Sequence, residues 1–74
     1  MRPEDLRQLL QRQPCPLLCL HLTNGVVFEI RDPDEAVVTR STVEFLVPQH
    51  ESREREAVIN LLHIIWVEVL MPPA

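Results

Sequence analysis

The stretch AVINLLHIIWVEVL, residues 57–70, decides how this chain folds. A helical stripe can be drawn through Val58, Leu61, Leu62, Ile65 and Val69. Against it stand six β-branched side chains, Val58, Ile59, Ile64, Ile65, Val67 and Val69, which crowd a helix and suit a pleated surface. That density predicts two strands, about 56–62 and 64–70, with His63 marking the corner between them. As strands they are apolar on both faces. Ile59 and Leu61 lie on one side and Val58 and Leu62 on the other, followed by Ile64, Ile65, Trp66, Val67 and Val69.

Upstream, QHESRERE at 49–56 is the most polar segment and reads as a solvent-exposed loop or hairpin tip. Before it, 43–47 reads as a strand closed by Pro48, and 36–39 as a short β-branched strand. Residues 40–42 form either a turn between these two or the kink in one long, bent strand. Asp32-Pro33-Asp34 marks a bend. Earlier still, 17–23 alternates, with Leu18, Leu20 and Leu22 on one face and Cys19, His21 and Thr23 on the other. Asn24-Gly25 then predicts a tight hairpin, because both residues tolerate positive φ. Its partner strand, 26–31, places Val26, Phe28 and Ile30 on one face and Val27, Glu29 and Arg31 on the other.

The N-terminal segment 3–13 predicts an amphipathic helix. Leu6, Leu9 and Leu10 form its stripe, with Pro3, Glu4 and Asp5 suited to the first turn and Pro14 and Pro16 ending it. So short a helix is unstable alone and must dock its leucines. The sum is one domain, 1–74, mostly β with one N-terminal helix. The helix (3–13) covers a small, strongly bent five-stranded barrel (17–70), and 71–74 form a tail.

Seventy-four residues, 46% hydrophobic and 24% charged, are globular in composition but few for a core. The barrel interior already holds Leu18, Leu20, Leu22, Phe28, Ile30 and Phe45, so it cannot also shelter both faces of 57–70. Either the docked helix covers the excess or a second subunit does. We expect the second, a homo-oligomer with Val58, Leu62, Ile65, Trp66 and Val67 at its interface.

PCPLLCLHLTNGVVFEIRDP (14–33) followed by INLLHIIWVEVL (59–70) resembles a group of short uncharacterised bacterial proteins. Their pattern is a leucine-bearing helix, a strand ending in HL-T-D/N-G, an F-x-I-R-x-P strand and a closing S-L-L-H-I-x-x-I-E segment. Order and length also resemble the Sm-like fold, which implies a five-stranded bent sheet assembling into rings through its last two strands. Thr39 and Thr42 stand where Sm proteins carry the aspartate and asparagine that hold a flipped base. Asn60-Leu61 and His63 stand where they carry Arg-Gly and asparagine. The resemblance therefore implies fold and assembly, and not the uridine site.

Eleven acidic residues against seven basic ones, net charge -4, argue against binding nucleic acid by bulk charge. Arginines 31, 40, 53 and 55 are the candidate contacts for single-stranded RNA: Arg31, Arg40, Arg53 and Arg55 concentrated around a ring. One glycine leaves no phosphate-cradling loop. Ser41 and Ser52 lack a nucleophile elbow, and turn chemistry explains Asp32, Asp34 and Glu35. We expect no enzyme activity and no cofactor.

Cys15, Cys19, His21 and His63 are the conceivable metal ligands, but zinc-type C-x-x-C pairing is absent, and no metal is expected. We expect Cys15 near the core and Cys19 as a surface thiol. They lie about 13 Å apart at ~3.3 Å per residue, beyond the ~7 Å limit of a disulfide. His21 is expected to pair with Glu29 or Arg31, His63 to hydrogen-bond at its corner, and His50 to be solvated. No apolar leader precedes the helix and no run reaches the ~20 residues of a membrane span. A cytoplasmic, non-enzymatic oligomeric scaffold or protein-interaction module is the expectation. An RNA-binding ring or a regulatory partner of another protein are the alternatives.

Overall fold

The computed structural model describes residues 1–50 and 53–71, with the backbone alone at residues 48–50 and 54. Among these, one helix, α1 (Pro3–Leu10), precedes six strands: β1 (Leu17–Leu22), β2 (Val27–Ile30), β3 (Ala36–Val38), β4 (Thr42–His50), β5 (Arg53–Asn60) and β6 (Ile64–Leu70). They form two three-stranded antiparallel sheets, ordered β2-β1-β6 and β3-β4-β5.

The chain is thus mostly β with an N-terminal helix, and its six strands lie in two three-stranded sheets where one strongly bent five-stranded barrel was expected. Two turns explain the count. Thr39 and Thr42 reverse the chain: the Thr39 N–H donates to Thr42 O (2.8 Å), and Thr39 Oγ1 accepts from the Thr42 N–H (2.9 Å). Residues 36–47 are therefore a hairpin and not one kinked strand. Between the sheets, a 3-10 turn at Pro33–Glu35 is capped by Asp32, whose side chain accepts from the Asp34 N–H at 3.0 Å.

The core is built from β1 outward. Leu18 and Leu20 are fully buried and Leu22 nearly so, and Ile30, Val43, Phe45, Ile59, Leu61 and Ile64 pack with them. Each such side chain contributes about 1.5–3 kcal/mol. Helix α1 adds Leu6 and Leu10, and Leu9 packs partly buried against the same cluster. The helix ends at Leu10 rather than Gln13, because the residue before Pro14 is pushed out of the helical region.

The hairpin loop has three residues rather than two. The Gly25 N–H donates to Leu22 O and the Leu22 N–H to Val26 O, both at 3.0 Å, with Gly25 at φ +85°. Asn24 supplies a side-chain acceptor for the Val26 N–H (3.0 Å). Pro48 does not close β4, which continues to His50, and β5 already begins at Arg53. The expected loop 49–56 is accordingly strand on both sides of a hairpin whose residues 51–52 lie outside the described residues.

The last third turns as expected, through a 3-10 corner at Leu61–His63. Asn60 Oδ1 caps it by accepting from the Leu62 N–H (2.9 Å), and His63 O accepts from the Thr23 N–H (2.9 Å). His63 serves through its backbone, and its side chain is exposed. In β6 the pairing shifts: His21 faces Trp66 and Leu22 faces Ile64, leaving Ile65 as an extra, unpaired residue. The bulge inverts the strand's alternation, so Ile64 turns into the core while Ile65 stays 63% exposed.

A Cβ at Gly25 would meet nothing within 4 Å, so its substitution carries only the backbone penalty. Gly25→Ala is expected to cost about 1–2 kcal/mol in urea unfolding, and Gly25→Asn less. Leu20→Ala is expected to cost about 2–5 kcal/mol. Val26→Ala, at an exposed position, should stay within about 0.5 kcal/mol.

Candidate interaction surfaces

Four strands are sheet edges. That of β3 meets α1, where an Arg7 Nη2–H donates to Val38 O at 3.1 Å. The edges of β5 and β6, joined by the Leu61–His63 corner, have no strand beyond them among the described residues. Exposed apolar side chains occur in this corner and within a few residues of it along the chain: Val58 (60% exposed), Leu62 (81%) and Ile65 (63%). A cleft of about 460 Å³ runs along β5, lined by its six successive residues 55–60. Thr23, Asn24, Phe28 and His63 line it too. Because residues from both faces of β5 line one cleft, it follows the strand's edge rather than lying over one face.

Of the five residues expected at an interface, Val58, Leu62 and Ile65 stand exposed in or near this corner. Trp66 is half-exposed on the outer face of β2-β1-β6, where its ring lies flat over His21 of β1 (centroids 3.9 Å, planes 12° apart). Val67 pairs with Leu20 and packs partly buried against the core.

The four arginines do not form one patch. Arg31 follows β2 and donates to Glu29 Oε2 (Nη2–Oε2 3.1 Å). Arg40 lies in the β3–β4 turn, while Arg53 and Arg55 lie toward the opposite end of β5, roughly 25 Å away at ~3.3 Å per residue.

The outer face of β2-β1-β6 departs from the expected pairings. Register places Val27 and Trp66 on either side of His21, and Glu29 and Glu68 on either side of Cys19. His21 Nε2 therefore meets Glu68 Oε1, at 3.4 Å, rather than Glu29 or Arg31. Cys19, expected at the surface, is 7% exposed, since it sits on the middle strand with a glutamate on each side. Cys15 is half-buried, its thiol donating to Pro16 O at 3.5 Å. Among the described residues no three His, Cys, Asp or Glu side chains gather as metal ligands. No helix among them is long and apolar enough to cross a membrane.

Burial first, then the carboxylates of Glu68 and Glu29, push the Cys19 thiol up from its ordinary range. A folded value above the unfolded one gives a contribution to stability that is whole below the ordinary thiol range. It declines as pH rises through that range to the folded value. Cys19→Ala should therefore flatten the alkaline limb of a stability-against-pH profile. Iodoacetamide should label Cys15 before Cys19, as read by peptide mass.

Comparison of the chain with protein-family models, with curated proteins and with solved structures finds no match.

Proposed function

We propose that this chain is a non-enzymatic, self-associating scaffold or protein-interaction module with an Sm-like arrangement. The observation that carries the reading is the pair of consecutive edge strands, β5 and β6, with Val58, Leu62 and Ile65 exposed around their shared corner. Solitary proteins blunt such edges with charge, proline or a covering element. β6, IIWVEVL, has a single charged residue, and the four charges of β5, REREAVIN, all fall in its first half, away from the corner. A second copy laid along these strands would satisfy their backbone groups, fill the cleft beside β5 and cover the corner. Taking β2 and β3 as halves of one strand interrupted at Pro33–Glu35 gives the continuous order β6-β1-β2-β3-β4-β5. That is a single bent sheet of five strands, the kind the resemblance implies.

RNA binding is the second reading, and Arg53 with Arg55, two residues apart on one face of β5, is the feature that favours it. A short oligonucleotide bound at physiological salt, and lost steeply as salt rises, would support it.

Sedimentation of the purified chain is expected to give a species of more than one copy. Leu62→Asp combined with Ile65→Asp should shift it to the mass of one chain with the β-sheet circular dichroism kept. A wild-type protein that sediments as a single copy across the micromolar range would overturn the self-association reading.

A further inference from the structure

The Trp66–His21 stack lies on the outer face of the β2-β1-β6 sheet, where the two residues are direct cross-strand partners. Two holds fix the imidazole beneath the indole: the flat contact itself, and the 3.4 Å approach of Nε2 to Glu68 Oε1. The indole is thus oriented from below, while 51% of the Trp66 surface remains exposed. An open aromatic face is electron-rich and attracts cations. Glu68, in the next row along β6, adds a carboxylate whose Oε2 accepts no hydrogen bond among the described residues. Of the other charges on this face, Glu29 and Arg31 pair with each other, which leaves Glu68 as the dominant charge beside the rings.

We propose that the Trp66 face and Glu68 form a binding site for the guanidinium of an arginine presented by a partner protein. Two features of the site select that group. A guanidinium is planar and stacks on an aromatic face as the imidazole already does from the other side. Its several N–H donors allow one of them to pair with Glu68 Oε2 while Oε1 stays on His21. A nucleobase could stack equally well, but its phosphate would face Glu68, and Arg40, Arg53 and Arg55 belong to the other sheet.

Trp66 is the only tryptophan of the chain, so its emission reports on this site alone. The probes are N-acetyl-arginine amide, N-acetyl-lysine amide and uridine monophosphate, titrated at constant ionic strength. The arginine probe is expected to give a saturable change and the lysine probe one at least threefold weaker in affinity. Uridine monophosphate should give none. Glu68→Gln should weaken the arginine response at least threefold, while Glu29→Gln leaves it within twofold. Equal responses to arginine and lysine, or equal losses in the two variants, would reduce the effect to bulk charge and overturn the site. Saturation by uridine monophosphate without an arginine response would overturn it in favour of base stacking. Failure of this titration leaves the sedimentation result untouched, so the two readings are judged apart.

Discussion

Leu18, Leu20 and Leu22 give β1 an inner face that water cannot be left to cover, and the position of every other element follows from enclosing it. β2 and β6 pair along its two sides. The β3-β4-β5 sheet brings Val43, Phe45 and Ile59 to the same cluster, and α1 adds Leu6 and Leu10. The two 3-10 turns are the joints that make this possible, because each carries the chain from one sheet to the other. Both are capped by a side chain two residues upstream of the donated N–H, Asp32 at the first and Asn60 at the second.

The enclosure uses up one face of each sheet and leaves the last strands with apolar material to spare. Had β6 kept a regular alternation, Ile64 would share the outer face with Trp66 and Glu68. The extra residue at Ile65 returns Ile64 to the core and seals the sheet's end beside Leu22 and Leu61. One isoleucine of the pair then stabilises the fold while its neighbour stands in solvent beside Leu62. A core position and a candidate contact are separated by a single peptide bond.

Much of this was legible in the residues. Alternation placed β1 and β2, β-branched density chose strands over a helix for 57–70, and the surplus of apolar faces pointed to Val58, Leu62 and Ile65. What stayed hidden was non-local. The bulge at Ile65 leaves no mark in composition, so Trp66 and Val67 could not be sorted between outer and inner faces. The partner of His21 depended on β6, forty-odd residues away, and not on the neighbouring hairpin strand. Cys19 is covered because β1 is a middle strand, a fact of topology that its own neighbours do not reveal. Residues 53–56 look like a loop because a hairpin exposed on its outer side carries charge as freely as a loop does, and Pro48 is tolerated where β4 becomes irregular, between Val47 and His50.

β1 and β4 are flanked on both sides, whereas β5 and β6 are held along one side only. Opening of the native state should therefore begin at edge strands, β2 included, and reach the two middle ones last. The surface proposed here for self-association is thus also among the parts of the backbone most easily loosened. Under that proposal a second copy could dock by local remodelling of the strand ends, while the leucine-packed interior stays closed.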